Sequence, residues 1–194
     1  ASHEADAGAM ARAVFAQFGP PYIVKPSSEG ASHGIVIAAG ILDLPQKLAD
    51  VLEAFGTALV EEFLVGEDAS VGVIEDFRSE DVYALPPVHI VVPDEFSILH
   101  FDHHHHGGHQ HIVPSDFDHA EKEVLETMAK QAHRALGLSD FSRADFIMTK
   151  RGPYLLEVNS LPGLHEYASF PKMLESVGSS VAGFLEHAVG LSRK

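Results

Sequence analysis

The chain has 194 residues, of which 45% are hydrophobic, and this content predicts either one substantial core or two small lobes that share a cleft. A formal net charge of −15 argues against binding to nucleic acid or to an anionic membrane, and the absence of cysteine excludes disulfides and thiol chemistry. The chain shows no apolar run of about 20 residues and no signal peptide, so it is expected to be a soluble cytoplasmic protein.

The first part of the chain alternates helical and strand patterns. An alanine-rich pattern predicts a helix over residues 3–18, which Gly19-Pro20-Pro21 ends. A strand (YIVKP), a loop of small residues (SSEGASHG), a strand (IVIAAG), a helix (LPQKLADVLEAF) and two strands (TALVEEFLVG and ASVGVIED) follow in that order.

The second part contains the clearest helix, DHAEKEVLETMAKQAHRALG, which is amphipathic and closed by Gly137. Before it, DVYALPPVHIVV continues the strand character, and after it the strands SRADFIMT and YLLEVNS flank a turn over residues 150–153. A final helix covers ASFPKMLESVG and VAGFLEHAVG. Helices and strands are mixed without strict alternation, which predicts an α+β fold of two lobes, over residues 1–75 and 76–194.

The strand pair near the C-terminus has polar side chains on one face. Alternation places Arg143 and Asp145 on the same face of their strand, and Glu157 and Asn159 on the same face of its partner. A turn centred on Arg151 pairs Asp145 with Glu157 and Arg143 with Asn159. Two carboxylates and an amide oxygen then converge, as in a Mg²⁺ site that also binds substrate phosphates. The alternative is a solvated polar face with cross-strand salt bridges.

The segment VKPSSEGASHG favours the metal and phosphate interpretation. Lys25 ends a strand, and Gly30 and Gly34 enclose Ser32 in a loop whose backbone N–H groups can face phosphate. An ordinary flexible turn is the alternative, because the lysine precedes the glycines and the pattern is not a P-loop. Glu61, Glu62 and Asp68 follow on a strand and turn, where a solvent-facing edge is the simpler interpretation.

Four ordered segments, YIVKPSSEGASHGI, ALVEEFLVGEDASVGVI, SRADFIMT and YLLEVNSLPGLHEYASFP, closely resemble the ATP-grasp fold and specifically the D-alanine:D-alanine ligases. The resemblance implies two α+β lobes that hold ATP between them. It also implies an enzyme that makes an acyl phosphate from one D-alanine for attack by the amine of a second, as part of peptidoglycan synthesis. ATP and Mg²⁺ (or Mn²⁺) are the implied cofactors, and a homodimer is the family's usual assembly.

The resemblance also implies roles for individual residues. Asp145, Glu157 and Asn159 match the metal ligands, while Arg143 and the N–H of Gly163 match the groups that stabilise charge in the transition state. Lys25 is implied to contact the ATP phosphates beneath a flap, and a further set to bind adenine and ribose. The flap residues are Gly30, Ala31, Ser32 and Gly34, and the adenine and ribose set is Glu61, Glu62, Phe63, Leu64 and Asp68.

The chain departs from the family pattern at several positions. It lacks the family's N-terminal domain and an additional ATP-contacting lysine, and Asp68 stands where the family usually has glutamate. Ala31 replaces a flap serine that helps to position substrate. Ala168 replaces the serine that holds the carboxylate of the second D-alanine, although Ser169 follows directly and is a candidate substitute.

The segment DHHHHGGHQH, residues 102–111, lies where the family has a mobile loop that carries a lysine and a tyrosine. A purification tag and an adventitious site for Zn²⁺ or Ni²⁺ are the alternatives. The preferred hypothesis is a closing loop in which histidine replaces the cation, with His103 and His104 near the lysine and tyrosine positions. Partly protonated histidines would then make the loop work better in mild acid.

Three functions follow from these patterns. The leading hypothesis is an ATP-dependent carboxylate–amine ligase of the D-alanine:D-alanine type, acting on small-molecule substrates. The second is an ATP-grasp ligase for other amino acids, because the departures fall on substrate contacts. The third is a noncatalytic module that binds nucleotide and metal.

Overall fold

A computed structural model describes residues 2–30, 32–91 and 110–191. Within these ranges the helices and strands have the following bounds. The helices are α1 (Ser2–Phe15), α2 (Leu44–Phe55), α3 (His119–Ala135), α4 (Ser169–Ser176) and α5 (Val181–Leu191). The strands are β1 (Tyr22–Lys25), β2 (Val36–Ala38), β3 (Leu59–Glu62), β4 (Glu67–Phe77), β5 (Glu80–Ala84), β6 (Val88–Val91), β7 (Gln110–Ile112), β8 (Phe141–Thr149) and β9 (Gly152–Asn159).

The described residues form two compact units, which divide between Leu64 and Val65. The division comes earlier in the chain than the predicted boundary after residue 75, because that boundary falls inside the continuous strand β4. None of the helices in the described ranges is both long and apolar enough to cross a bilayer.

The first unit is a three-stranded antiparallel sheet, in the order β2-β1-β3, with α1 and α2 packed together. Tyr22 and Val24 of β1 are fully buried in the core that both helices complete. Because side chains alternate along a strand, Ile23 and Lys25 lie on the opposite face. The sheet therefore presents Lys25 away from the core.

The second unit is a six-stranded antiparallel sheet with the path β7-β6-β4-β8-β9, and β5 also pairs with β4. Helix α3 packs on the apolar face formed by Ala69, Val71, Ala144 and Phe146. Strand β8 alternates strictly between buried and half-buried residues. Its apolar residues enter this core, and Arg143 and Asp145 occupy the other face.

Helix α4 packs against the centre of β4 at Gly72. A Cβ atom on Gly72 would lie 2.7 Å from Leu85 Cδ1 and 2.8 Å from Phe170 Cε2, so a larger residue does not fit there. The rings of Phe141, Phe170 and Phe184 then pack in edge-to-face and tilted arrangements, with centroid distances from 5.0 to 6.3 Å. This aromatic cluster holds α4 and α5 against the sheet.

Three predicted elements differ from the structure. The single C-terminal helix is wrong, because Gly178 adopts a left-handed φ of 71° between α4 and α5. The first helix ends at Phe15, and residues 16–18 continue only as a turn. The end of the histidine segment is not loop, since His111 pairs with Ile90 as part of β7.

Candidate active site

The β8–β9 hairpin brings together the four polar residues that the sequence predicted on one face. Arg143 pairs with Asn159 and Asp145 with Glu157, as expected. A bulge beyond Asp145 then shifts the register by one residue, so that Phe146 pairs with Leu155. The constant register expected along the whole hairpin is therefore wrong on the side of the turn, because β9 contains one extra residue there.

Asp145 is held by hydrogen bonds from three side chains. Arg143 donates from Nε to Oδ1 at 2.8 Å and from Nη2 to Oδ2 at 2.6 Å. Ser70 of β4 donates from its hydroxyl to Oδ1 at 2.5 Å, and Asn159 donates from Nδ2 to Oδ2 at 2.9 Å. A carboxylate offers about four acceptor positions. Each oxygen of Asp145 therefore accepts two hydrogen bonds, so a metal ion at this carboxylate would have to replace one of these donors, and Arg143, which donates to both oxygens, is the candidate.

The charge of Arg143 is retained in this surrounding. Burial alone would lower the pKa of its guanidinium, but the charge and hydrogen bonds of Asp145 and the charge of Glu157 raise the pKa above its ordinary value. Both members of the pair are mostly buried, with side-chain exposures of 14% for Arg143 and 18% for Asp145. The site therefore contains a permanently charged cation beside two carboxylates.

Asn159 connects the two carboxylates. Its Nδ2 donates to Oδ2 of Asp145 and also to Oε1 of Glu157, at 3.1 Å. With both hydrogens of the amide directed at carboxylates, the amide oxygen is left as an acceptor. Glu157 is exposed at this edge of the sheet.

The donor set fits Mg²⁺ by its chemistry. Two carboxylates and one amide oxygen are hard ligands, and Mg²⁺ is commonly bound by one or two carboxylates together with waters and phosphates. Among the described residues, no group of three or more His, Cys, Asp or Glu side chains is arranged to hold a metal ion. The metal hypothesis therefore depends on Asn159 as the third ligand.

Asp68 lies on β4, two residues before Ser70, and hence on the same face of the sheet. Burial, together with the charge of Asp145, raises the pKa of Asp68 to about 6, although the charge of His89 opposes this. Strongly perturbed carboxylates are typical of binding sites. Asp68, expected to contact the ribose, thus lies on the strand next to the one that carries Asp145, the first of the proposed metal ligands.

In the first unit, Lys25 and Glu61 form a salt bridge at 2.7 Å. They are diagonal neighbours, because Ile23 pairs with Glu61 and Lys25 with Leu59 across β1 and β3. Glu62 faces the other side of the sheet, and beyond it the N–H of Phe63 donates to the carbonyl of Pro21 at 3.1 Å. Two predicted nucleotide contacts are therefore adjacent, with the ammonium of Lys25 directed at a carboxylate.

The predicted flap loop is a tight turn with left-handed backbone. The N–H of His33 donates to Gly30 and that of Ile35 to Ser32, and φ is 60° at Ser32 and 78° at Gly34. A Cβ atom on Gly34 would lie 2.7 Å from the Phe55 ring and 2.8 Å from Pro26. The turn is therefore packed against α2 at its second glycine.

The family model described as D-ala D-ala ligase C-terminus matches residues 1–189. The chain belongs to this family. The D-alanine–D-alanine ligase of Maridesulfovibrio salexigens is 32% identical over 178 residues, which cover 90% of this chain and 56% of the relative. The chain thus spans little more than half of that relative's length.

Two solved structures of ligases have a fold similar to that of this chain. The D-alanyl-alanine synthetase A of Vibrio cholerae matches with a TM-score of 0.79 at 23% identity, over 95% of this chain and 56% of that one. The D-alanine–D-alanine ligase of Bacillus anthracis complexed with ATP matches with a TM-score of 0.71 at 23% identity, over 90% and 54% of the two chains. This likeness confirms the predicted α+β, ATP-grasp fold.

The remaining predicted site residues of this ligase-family chain lie partly within and partly outside the described residues. Gly163 lies between β9 and α4, in the same unit as Arg143. Ala168 is the N-cap residue of α4 without a side-chain cap, and Ser169 is buried in the first turn. Ala31 and His103 lie outside the described residues, as do the other histidines of the run at 103–106.

Sequence reasoning missed Ser70 in this family member. Its alternation with Asp68 could be read from the sequence, but its contact with Asp145 depends on β4 lying next to β8. Ser70 and Asp145 are 75 positions apart in the chain, and no local pattern specifies that their strands are adjacent. The family resemblance indicated the metal ligands but did not indicate Ser70.

Proposed function

We propose that the chain is the ATP-grasp part of an ATP-dependent ligase that joins two D-alanine molecules through an acyl-phosphate intermediate. The observation that supports this most strongly is the convergence of Asp145, Glu157 and Asn159 beside Arg143. Membership of the family and the ligases among its relatives agree with it. The same activity would make the chain part of cytoplasmic peptidoglycan synthesis.

Asp145, Glu157 and Asn159 would hold Mg²⁺ or Mn²⁺. When bound, such an ion neutralises phosphate oxygens and assists their alignment for in-line transfer. The chain's own part would be to present three oxygen ligands from adjacent positions of one hairpin, and the pairing of Asp145 with Glu157 supports this. Asn159 serves as a ligand through Oδ1, because its amide hydrogens bind the carboxylates.

Arg143 would stabilise the negative charge that develops on the transferred phosphate and on the tetrahedral intermediate. Its guanidinium is buried and permanently charged, so it acts without reorganisation of solvent. The N–H of Gly163 is the second proposed donor to the oxyanion, and Ser32 would help to position substrate under the flap.

We propose that each of the two units contributes some of the contacts to the nucleotide. Lys25 and the flap residues Gly30, Ala31, Ser32 and Gly34 would face the phosphates, with His103 as a further contact. Glu61, Glu62, Phe63 and Leu64 would bind adenine, and Asp68 the ribose. The salt bridge from Lys25 to Glu61 supports a role in which the lysine positions a carboxylate as well as a phosphate.

A second candidate keeps the fold and changes the amino acid. Ala168 cannot offer the hydroxyl that the family uses for the carboxylate of the second D-alanine. Ser169 is buried at 4% exposure, in the first turn of α4. A ligase that accepts a different second amino acid is therefore the alternative, and a homodimer in the family's usual mode is part of either proposal.

Phosphate release from ATP with Mg²⁺ present tests the proposal, measured on this chain and on the full natural protein. D-alanine is expected to stimulate release, and Arg143→Met is expected to abolish the stimulation. Arg151→Met, which removes a positive charge from the turn of the same hairpin, is the matched control and is expected to remain active. Stimulation by another amino acid would favour the second candidate, and nucleotide binding without turnover in the full protein would contradict both.

A further inference from the structure

Ser70 stands out among the buried polar residues of the second unit, because its hydroxyl contacts one of the proposed metal ligands. We propose that Ser70 is a positioning residue, which fixes the Asp145 carboxylate for metal binding. This inference rests on the proposed function, since it assumes that Asp145 is a metal ligand.

The contact is built into the sheet. Ser70 and Asp145 are directly paired across β4 and β8, and Ser70 is only 1% exposed. The hydroxyl donates to Oδ1 at 2.5 Å. Hydrogen bonds to a charged acceptor are about twice as strong as neutral ones. A central strand therefore directs a short, charge-assisted hydrogen bond at one oxygen of this carboxylate.

The two oxygens of Asp145 face different partners. Oδ2 accepts from Asn159, which also contacts Glu157, so Oδ2 lies toward the other two proposed ligands. Oδ1 accepts from Ser70 and from Nε of Arg143. Ser70 thus binds Oδ1, the oxygen that is turned toward β4. Its hydrogen bond leaves Oδ2, which lies on the side of Asn159 and Glu157, available to the metal site.

Arg143 cannot provide this orientation throughout the reaction. It donates to both oxygens of Asp145, yet in the proposed function the same guanidinium acts on the transferred phosphate. When Arg143 turns toward phosphate, Ser70 is the donor that still holds Oδ1. A neutral hydroxyl suits this task, because it orients the carboxylate without cancelling the charge that attracts the metal.

Mn²⁺ binding measured by electron paramagnetic resonance, without nucleotide, tests the inference directly. Ser70→Ala is expected to weaken Mn²⁺ binding by about 10- to 100-fold, as for other residues that orient metal ligands. Ser70→Thr and Ser70→Val form a matched pair, because both add the same branched bulk and differ in the hydroxyl. Threonine is expected to retain Mn²⁺ affinity close to the wild-type value, and valine to lose it as alanine does.

Ser142→Ala controls for a purely structural effect. Ser142 is also a buried serine of this sheet, but its hydroxyl contacts His133 on the opposite face of β8. This change is expected to lower the thermal unfolding midpoint and to leave Mn²⁺ affinity unchanged.

Equal Mn²⁺ affinity in wild type, Ser70→Val and Ser70→Ala would overturn the inference and leave the proposed function intact. If Asp145→Asn bound Mn²⁺ as tightly as wild type, the metal assignment itself would fail, and the inference with it.

Discussion

Asp145 and Arg143 form the electrostatic centre of the second unit. Their bidentate pair is largely removed from water, and Ser70 and Asn159 complete the hydrogen bonding of the carboxylate. A buried ion pair contributes modestly to stability, but removal of one partner leaves an uncompensated charge. The stability of the protein is therefore expected to depend on which cation lies beside Asp145.

Arg143→Met is expected to destabilise the metal-free protein by about 3 kcal/mol, because Asp145 keeps its charge without a cationic partner. Added Mg²⁺ is expected to recover part of the lost free energy of unfolding, since the ion supplies the missing positive charge. Urea denaturation with and without Mg²⁺ measures both effects. Arg151→Met removes an equal charge at the exposed turn and is expected to respond to Mg²⁺ as wild type does. An Arg143→Met protein that Mg²⁺ fails to stabilise would count against a metal at Asp145.

Asp68→Asn is expected to change the pH dependence of stability. Because the folded protein raises the pKa of Asp68 from 3.8 to about 6, its contribution to stability is fully present below pH 3.8 and is lost as the pH rises through about 6. Asparagine is neutral throughout, so the stability of the variant relative to wild type should increase across this window and stay level above it. Chemical denaturation in a metal chelator at a series of pH values measures the difference.

The exposed neighbour Glu67 provides the control for net charge in that experiment, through Glu67→Gln on the same strand. A stability difference between Asp68→Asn and wild type that stays constant between pH 4 and 7 would show that burial does not perturb this carboxyl.

The predicted cluster of Arg143, Asp145, Glu157 and Asn159 is confirmed as a cluster because a hairpin is a local structure. Its turn and side-chain alternation determine which residues meet. Ser70 could not be predicted in the same way, because its contact requires the order of strands in the sheet. Buried hydrogen bonds between distant strands are specified by the whole core rather than by a sequence pattern.

At the scale of elements, the flap loop packs against the rest of the first unit at Gly34. Pro26 and the Phe55 ring of α2 occupy the space beside it, and the backbone there is left-handed. Helix α2 had clear signals in the sequence, with Pro45 in its first turn and Gly56 at its C-cap, and its bounds are as predicted. The break between α4 and α5 had two signals, Gly178 and the serine Ser180, whose hydroxyl accepts from the N–H of Gly183, but the apolar pattern on both sides favoured one long helix.

Gly34→Ala is expected to destabilise the first unit by at least about 1 to 2 kcal/mol, because an L-residue pays this cost in the left-handed region before any clash is counted. Gly30→Ala, in the same loop, is the matched control. A Cβ atom at Gly30 has no heavy atom within 4 Å, so its effect is expected to stay within about 0.5 kcal/mol. Thermal unfolding of the two variants distinguishes the left-handed, closely packed position of Gly34 from a general loss of loop flexibility. Equal stability of both variants would contradict this special position of Gly34.

At the scale of the whole molecule, the proposed chemistry is distributed unevenly between the two units. Arg143, Asp145, Glu157 and Asn159 belong to the second unit, as do Ser70 and Asp68. Lys25, Glu61 and the flap belong to the first. With a net charge of −15 on the chain, a divalent cation would also relieve repulsion among carboxylates near its site.

A chain of residues 65–194 is therefore expected to fold and to bind Mn²⁺ with an affinity close to that of the whole chain. It retains the six-stranded sheet, the core under α3, and every side chain that is proposed to hold or position the metal. Nucleotide binding, by contrast, is expected to weaken strongly, because Lys25, Glu61 and the flap are removed. Circular dichroism, Mn²⁺ titration and ATP titration on the shortened chain measure folding, metal affinity and nucleotide affinity.

The matched chain of residues 1–64 has none of the proposed metal ligands and should bind no Mn²⁺. A folded 65–194 chain without Mn²⁺ affinity would mean that the metal ligands are not sufficient in this unit, and that the assignment of Asp145, Glu157 and Asn159 is incomplete.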